Sequence, residues 1–464
     1  MNIKNFLNQV CQEIKYEPVR KEIAEELELH IQDLKEDYMN NGMEELEAEE
    51  KAVAQMGIAE EIGKKLDKIH RPKLDWKLLL LIFVLMGFGM LVSILKKPLM
   101  NDNYIGNTIF YMIIGVVLSI GVYFFNYKKM KNYSNIIYLI ASLMLILPIL
   151  PMRFSQSDLY NIRIFNVNIF LPAIALPLYM IAFIGYMSNY KKDNTLKMTV
   201  LNKTFSINKD FAKILTLCMI SLFLMAKVPS MINVLILAVT YLVVTTVKII
   251  QNKEQYIKKL ILLYGIILIL LILILCTLFI QSPFRLERIM ASFNPEIDPQ
   301  GEGYTRMLQK EILENAKIIG EAETSAISDT QSIINLESNY TYIYLLGKTG
   351  ILVTAILTFI IILTSLKLIY NSKKIKEEYG KLIIIGFGTL YIVQSFATIL
   401  MNLNMGIQAN INLPFVTYGG VNFIINLLSI ALILSIYRRK DINEYEKNDE
   451  KKKFTIFKLE ENKS

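Results

Sequence analysis

Long apolar segments are the dominant pattern along this chain, and they recur from residue 74 onward. The stretch from Leu78 to Leu95 holds 18 consecutive uncharged residues, a length that crosses the hydrocarbon core of a bilayer as a helix. This pattern predicts an all-α, polytopic membrane protein with about ten transmembrane helices. The predicted spans are 76–95, 107–126, 133–151, 169–187, 211–227, 229–249, 258–280, 342–370, 380–402 and 418–437.

The first 73 residues have a different pattern, in which apolar positions at helical spacing alternate with charged ones. The Asn-Asn-Gly at 40–42 is a typical stop signal for a helix. The predicted helices cover 3–14, 23–38, 44–56 and 59–69. We therefore predict a small soluble helical bundle over 1–73, with its acidic face solvated. It resembles the prefix domain that precedes several bacterial membrane proteins, for which docking or regulation is the expected role.

The loops between the spans predict the orientation in the membrane. Basic residues cluster in alternate loops, "YKKMKN", "YKKDNTLKMTVLNK", "QNKEQYIKK" and "NSKKIKEEYGK", and basic loops face the cytoplasm. Both termini are then cytoplasmic, and the charged tail 439–464 is a solvated cytoplasmic segment. The large loop 281–341 lies outside, and a loop of that length is uncommon unless it carries function.

Composition narrows the possible chemistry. The chain is 53% hydrophobic and 20% charged, against about 25% charged in soluble domains. The three cysteines and two histidines include none in a predicted external segment, so we expect no disulfide framework and no histidine-ligated metal or histidine base in the membrane part. We expect no cofactor; no ligand cluster indicates a divalent cation, although one at the outer site is not excluded.

Candidate chemistry concentrates where the large loop meets the membrane. Arg285 and Arg288 follow the seventh predicted span, and they are either interfacial arginines or one wall of a site for a lipid phosphate or pyrophosphate. At the other end of the loop, Glu337, Ser338 and Asn339 precede an apolar segment. These polar residues sit at the predicted boundary between external water and the bilayer.

Three motifs in this order carry a family resemblance: "RIMASFNPEIDPQGEGY" (288–304), "SNYTYIYLLGKTGIL" (338–352) and "LPFVTYGG" (413–420). Together they resemble the SEDS family of bacterial cell-wall proteins, which includes FtsW, RodA and SpoVE. The resemblance covers 74 to about 438, and the ten-span count and the large loop agree with it. It implies a peptidoglycan glycosyltransferase that polymerises lipid II at the outer membrane face.

The family pattern has a Thr-Asp-Phe triplet whose Asp is thought to act as the general base. Here the triplet falls on Ser338, Asn339 and Tyr340, so the resemblance places an amide at the catalytic position. An amide can orient a hydroxyl but cannot take its proton, and loss of a general base costs about 10²- to 10⁴-fold in rate. Glu337 is either a substitute base or, as we favour, an ordinary solvated carboxylate.

Two other ionisable motifs of the family are also changed. The Gln-Pro-Ser-Glu-x-x-Lys pattern falls on Leu171, Pro172, Ala173, Ile174 and Pro177, and the Gln-Pro-Asp pattern falls on Val228, Pro229 and Ser230. The prolines are kept, while the acids and the base are lost. Because intramembrane charges are usually kept for function, their joint absence indicates a relaxed catalytic demand.

Further candidates for lipid contact lie around the same outer surface. Lys348 either pairs within the bundle or reaches a lipid phosphate. In "LPFVTYGG", the glycines Gly419 and Gly420 either permit close helix packing or, with Thr417 and Tyr418, line a lipid groove as the resemblance implies.

We therefore predict a SEDS-type protein of the bacterial inner membrane with weakened or lost catalysis. The resemblance implies an undecaprenyl-pyrophosphate-linked precursor and a class B penicillin-binding protein as partners, together with membrane lipids and no nucleic acid. The alternatives are a non-catalytic scaffold or regulator of cell-wall synthesis and a flippase for the lipid precursor. Against the flippase, the two halves show no convincing duplication.

Overall fold

The computed structural model divides into two compact units, one made of Met1–Leu74 together with Arg438–Ser464 and one from Asp75 to Tyr437. The described residues are 2–70, 73–97, 104–149, 160–164, 167–190, 195–200, 203–228, 231–251, 264–265, 268–269, 272, 283–301, 303–328, 339–417 and 420–440.

The first unit is a bundle of four helices, and their bounds agree with the sequence prediction. They are α1 (Ile3–Glu13), α2 (Arg20–Asn40), α3 (Glu45–Met56) and α4 (Ala59–His70). Asn2 caps α1, since its side chain accepts from the Asn5 amide at 2.9 Å. Helix α2 ends at the predicted stop, where Gly42 adopts a φ of +90°. Phe6, Val10 and Ile31 lie at the centre of the hydrophobic core of this four-helix unit.

The second unit is a helical bundle with seven helices long and apolar enough to cross a membrane among the described residues. Its helices before the large loop are α5 (Trp76–Lys96), α6 (Tyr104–Phe124), α7 (Lys128–Asn132), α8 (Ser134–Ile146), α9 (Leu171–Ser188), α10 (Lys209–Lys227) and α11 (Met231–Gln251). The later ones are α12 (Pro283–Phe293), α13 (Tyr304–Glu314), α14 (Ser325–Ser328), α15 (Thr341–Thr349), α16 (Ile351–Lys374), α17 (Glu378–Asn402) and α18 (Gly420–Arg438).

Most predicted spans correspond to one of these helices. The seven long apolar helices are α5, α6, α9, α11, α16, α17 and α18. The third predicted span contains the shorter helix α8, and the fifth corresponds to α10, which carries charged residues at both ends. The seventh, 258–280, lies almost entirely outside the described residues.

The eighth predicted span, 342–370, is wrong as a single helix. The chain breaks at Gly350, where φ is +94°, and this separates the buried α15 from the long α16. Residues 317–322, which we call the strap, bond across the break: Ile351 donates to the Lys317 carbonyl at 2.9 Å and Gly320 donates to the Thr349 carbonyl at 3.1 Å. The strap thus satisfies main-chain groups that a broken helix leaves open.

Two short antiparallel hairpins, which the sequence analysis does not predict, interrupt this helical fold. Strands β1 (Asn161–Ile164) and β2 (Val167–Phe170) pair before α9, with Asn161 opposite Phe170. Strands β3 (Thr195–Val200) and β4 (Lys203–Asn208) pair before α10, with Thr195 opposite Asn208. Each hairpin joins two helices of the bundle and leaves the all-α class unchanged.

Buried ionisable groups join helices at the end of the bundle where α5 begins. Asp75 is 4% exposed; its carboxylate lies 3.0 Å from Nζ of Lys367 and accepts from Nδ2 of Asn371 at 2.7 Å. It also caps α5 through the Leu78 amide at 3.2 Å. At the same end of α16 and α17, Lys248 of α11 pairs with Glu378. These contacts fix α5 against α16 and α11 against α17.

Candidate functional site

Asn339 lies directly before α15 and is fixed against the end of α17. Its carbonyl oxygen accepts from Nδ2 of Asn402 at 3.0 Å. The same Asn402 amide donates to the Thr398 carbonyl at 2.8 Å, and its Oδ1 accepts from the Ile343 amide at 3.0 Å. Asn402 is fully buried and closes the start of α15 as a cap does. It therefore sets the position of residue 339, which is half-buried.

A buried arginine on α13 holds the segment that follows α17. Arg306 is 1% exposed; it donates to Oδ1 of Asn404 at 2.7 Å and to the carbonyl of Gly406. Asn404 returns a bond to the Arg306 carbonyl at 3.1 Å and has a φ of +62°, which asparagine tolerates. Burial lowers the pKa of the Arg306 guanidinium, with an opposing interaction from Tyr340.

The next turn of α13 contributes a second polar contact to α17. Nε2 of Gln309 donates to the Met401 carbonyl at 3.2 Å, and its Oε1 is buried without a hydrogen-bond partner in the described part of the chain. Helix α13 is therefore clamped on the last turn of α17, beside the Asn402 contact that positions Asn339.

The 413–417 turn is closed by its own groups. Thr417 is 5% exposed; its hydroxyl accepts from the Leu413 amide at 3.0 Å, and its amide donates to the Leu413 carbonyl at 3.0 Å. Gly420 packs against the Tyr111 ring, which a Cβ would approach to 3.1 Å. The structure thus gives Thr417 and Gly420 packing contacts, while Tyr418 and Gly419 lie outside the described residues.

An open cavity lies between α9, α11, α17, α18 and the 410–415 segment, with about 870 Å³ of empty space when its open mouth is counted. Its polar lining consists mainly of amides: Asn233, Gln394, Asn410, Asn412, Asn422, Asn426 and Ser429. Gln394 donates to the Asn412 carbonyl at 2.9 Å, and Oδ1 of Asn412 is buried without a partner among the described residues. The described lining holds no Asp, Glu, Lys or Arg side chain. Such walls suit neutral polar groups, because amides both donate and accept hydrogen bonds.

A known protein family matches most of this chain. The family of cell cycle proteins FtsW, RodA and SpoVE matches residues 74–442, which include the whole second unit. The chain belongs to this family. It is an FtsW/RodA-like integral membrane protein of peptidoglycan synthesis, and the fold and family predicted from the three motifs are confirmed.

Individual FtsW relatives differ considerably in sequence from this chain. A probable peptidoglycan glycosyltransferase FtsW of Enterococcus hirae is 28% identical over 184 residues, which are 40% of this chain and 46% of that protein. The FtsW of Nitrosomonas europaea, described in the same words, is 22% identical over 381 residues, 79% of this chain and 93% of that protein.

A solved structure shares the fold. It belongs to a peptidoglycan synthase complex that coordinates polymerization and crosslinking, and it superposes with a TM-score of 0.60 at 16% identity. The match covers 80% of this chain and 99% of that chain. At this identity the likeness establishes the FtsW/RodA architecture and nothing about individual side chains.

The lining of the amide-lined cavity includes one position, Pro177, at which the pattern described above has an ionisable residue. Ala173 and Pro177 line it, and they stand at the Ser and Lys of the Gln-Pro-Ser-Glu-x-x-Lys pattern, while Ile174 stands at its Glu. Pro177 lies inside α9, so the helix tolerates a residue that cannot donate its main-chain hydrogen bond. The lining thus carries no ionisable group at Ala173 or Pro177, and α9 still extends from Leu171 to Ser188.

The remaining predicted site residues are placed as follows. Lys348, in the last turn of α15, pairs with the exposed Glu321 of the strap. Arg285 and Arg288 belong to α12, and their side chains lie outside the described residues, as do Glu337 and Ser338. Their predicted roles thus stay predictions. The described residues contain no group of three His, Cys, Asp or Glu that could hold a metal ion.

Sequence reasoning missed Arg306, Asn402 and the amides of the cavity. Arg306 and Gln309 are spaced i, i+3 on a helix whose buried face also holds Leu308 and Ile312. That spacing was an available signal, because a charged residue on the apolar face of an amphipathic helix needs a partner. Asn402 gave no comparable signal, since its contacts come from segments distant in sequence.

Proposed function

We propose that this FtsW/RodA-like protein binds the undecaprenyl-pyrophosphate-linked peptidoglycan precursor, lipid II, and polymerises it weakly or not at all. The observation that supports the proposal is that residue 339 carries an amide while the described lining of the cavity is uncharged. Asn339 can orient a sugar hydroxyl but offers no basic group to remove its proton. Without that base we expect a rate about 10²- to 10⁴-fold below that of a family member with Asp.

The proposed substrate fits the cavity by its chemistry. Side-chain amides and one serine suit sugar hydroxyls and N-acetyl groups, and apolar residues such as Phe170, Ile236 and Phe387 of the same lining suit an isoprenoid chain. The missing intramembrane charges leave the pyrophosphate without a counter-charge from the described lining. This favours binding without efficient expulsion of the leaving group.

We place the protein in the inner membrane with both termini cytoplasmic and the 281–341 loop outside. The distribution of lysine and arginine among the loops supports this orientation. Lipid II then meets Asn339 from the external face. A cysteine placed at the exposed position 315 in a cysteine-free chain should react with an impermeant maleimide added outside cells, whereas one at the exposed position 129, in the basic loop of α7, should not.

The decisive experiment is a polymerisation assay of the purified full chain with lipid II, scored for glycan chains. We expect few or no chains from the wild type and an increase of at least 10²-fold for Asn339→Asp. Asn339→Ala is the matched control and should stay at the wild-type level. Glu337→Gln tests the substitute base: if it abolishes a wild-type activity that Asn339→Ala leaves intact, Glu337 is the base. A chelator arm tests for a divalent cation.

A non-catalytic scaffold of cell-wall synthesis is the second candidate, and the uncharged described lining of the cavity favours it. Vigorous chain formation by the wild type would exclude the scaffold. An inactive wild type whose Asn339→Asp variant is also inactive, but which still binds lipid II, would support it. Binding is measured separately by the retention of lipid II on immobilised protein, with Gln394→Leu as the cavity variant.

We propose a class B penicillin-binding protein, a single-pass transpeptidase, as the protein partner. The likeness of the fold to a chain of a peptidoglycan synthase complex supports this. Co-purification of such a transpeptidase with the tagged full chain from its own membranes tests it. A pull-down in which every penicillin-labelled protein stays in the unbound fraction would contradict it.

A further inference from the structure

A second cleft, separate from the amide-lined cavity, lies at the C-terminal end of α9, where three helix ends meet. It is formed by α7 with the start of α8, by the end of α9, and by the start of α10, and it is open to solvent, with about 440 Å³ of empty space when its mouth is counted. Its lining consists of Lys131, Asn132, Ser134, Asn135, Tyr186, Asn189, Asp210, Lys213 and Ile214. Nothing in the proposed reaction uses these residues.

The floor of the cleft is fixed by contacts among its own main-chain and hydroxyl groups. Ser134 donates to the Lys131 carbonyl at 2.7 Å, and Tyr186 donates to the Ser134 carbonyl at 3.3 Å. A Cβ at Gly185 would lie 1.9 Å from the Ser134 hydroxyl, so α9 and α8 approach closely there. The cleft is thus a formed recess and not a gap between loose loop ends.

The charges around the recess favour a single anion. Two lysines and one aspartate leave a formal charge of +1. Nζ of Lys213 donates to Oδ1 of Asn135 at 2.9 Å and lies 4.8 Å from the centre of the Tyr186 ring. These neutral contacts hold the ammonium in place without neutralising it. A phosphodiester, with one negative charge and several acceptor oxygens, matches such a set of donors.

The adjoining surface of the bundle is apolar and exposed. On α8 the exposed side chains are Ile136, Leu139 and Ile140, and on α10 they are Met219, Ile220 and Phe223. Tyr138 of α8 donates to the Leu217 carbonyl of α10 at 2.9 Å, so the two helices lie side by side. Exposed apolar side chains on spanning helices of a membrane protein face acyl chains.

The geometry points to a binding site for one phospholipid, with its phosphate in the recess and its acyl chains along α8 and α10. We assign it to a lipid with a hydroxylated, uncharged headgroup, such as phosphatidylglycerol. One phosphodiester balances the charge of +1, and the Asp210 carboxylate can accept from a headgroup hydroxyl. An amine headgroup would add a second positive charge beside the lysines. The proposal does not depend on lipid II binding or on catalysis.

The test is native mass spectrometry of the purified full chain with added dioleoyl-phosphatidylglycerol. Lys213→Gln should weaken the affinity about tenfold, as expected for the loss of one charge-assisted hydrogen bond, and Lys131→Gln should weaken it as well. Lys213→Arg should stay close to the wild type. The matched control is Lys373→Gln, an exposed lysine in the last turn of α16, which should change nothing.

Two further arms separate the possible ligands. Dioleoyl-phosphatidylethanolamine should bind several-fold more weakly than phosphatidylglycerol, and inorganic phosphate or glycerophosphoglycerol should not compete at equal concentration. Equal lipid affinity in the wild type and in the double variant Lys131→Gln/Lys213→Gln would show that the recess is not a phospholipid-binding site. Competition by free phosphate as strong as by the lipid would overturn the proposal too, because the recess would then be a soluble-anion site.

Discussion

The polar residues near the start of helix α17 are charged, whereas those farther along it are uncharged. Near its start, Glu378 pairs with Lys248, and on the neighbouring helix α16 Lys367 pairs with the buried Asp75. Further along, Gln394 faces a cavity whose described lining has amides but no ionisable side chain. Charge is therefore present where it joins helices, and the described wall of the cavity carries none.

This difference separates two reasons for burying a charge in a membrane protein. A buried charge is costly, so it persists only where a partner or a reaction requires it. Asp75 has such a partner and also caps a helix. At Ile174 and Pro177 the family's acid and base have been replaced, and α9 still extends from Leu171 to Ser188. Helix α9 thus forms without an ionisable side chain at either position.

The largest effect is expected when a buried pair is broken. Asp75→Ala leaves Lys367 without its carboxylate and α5 without its cap, and should lower the free energy of unfolding by about 3–5 kcal/mol. The measurement is denaturant unfolding of the full chain in detergent micelles. Asp75→Asn is the control and should lose less, since its amide oxygen can still accept from the Leu78 amide. A loss below about 1 kcal/mol would show that the pair does not hold α5 against α16.

Arg306 tests whether a buried charge near the cavity is also structural. Arg306→Met removes the bonds to Asn404 and Gly406 and should cost about 3 kcal/mol, since hydrogen bonds to charged groups contribute about 1.5–3 kcal/mol each. Faster proteolysis of the 303–328 segment should accompany the loss. Lys310→Met, on the exposed face of the same helix, removes only a 3.9 Å ion pair with Glu314 and should cost less than about 0.5 kcal/mol. Equal effects of the two variants would refute the structural role.

The helix break at Gly350 gives a smaller effect. In Gly350→Ala the new Cβ would lie 2.7 Å from the Ile318 carbonyl oxygen at a positive φ, which should cost about 1–2 kcal/mol. Gly87→Ala is the matched control, because its Cβ meets nothing within 4 Å inside α5; it should be neutral or stabilising by up to about 1 kcal/mol. The comparison uses the unfolding midpoint of each variant in the same detergent. Two equal midpoints would mean that the strap does not constrain the break.

The sequence was sufficient for features that depend on local pattern. The four helices of the first unit, most of the spans and the place of residue 339 before an apolar helix follow from hydrophobic periodicity and from motifs. The family resemblance then predicts that Asn339 stands where the family has an acid, which no periodicity could have marked.

Features that depend on contacts between distant segments could not be obtained in this way. The apolar run through Gly350 looks the same whether or not the helix is continuous, and the break is stabilised by the strap, which comes from the preceding loop. Asp75 and Lys367 each look like an ordinary interfacial charge until the fold brings them within 3.0 Å. The asparagines of the cavity wall are spread over α11, α18 and the 410–412 segment, so only the packed helices show that they share one surface.

The smallest effect is expected at a surface lysine–glutamate pair, because an ion pair at the surface contributes little to stability. Lys35 and Glu45 of the first unit lie 2.8 Å apart at the surface, and the hydrogen bond from Lys35 lowers the pKa of Glu45 below its ordinary value of 4.5. A lowered pKa in the folded state means that the stabilisation is present above the unfolded pKa and is lost as the pH falls through the folded one. Hydrogen exchange of the α3 amides in the full chain should therefore differ slightly between the wild type and Glu45→Gln at about pH 6, and the difference should shrink as the pH falls and Glu45 becomes protonated. A difference that grew as the pH fell would contradict the assigned sign. A difference as large as that of Asp75→Ala would show that burial does not set how strongly a charge pair stabilises this protein.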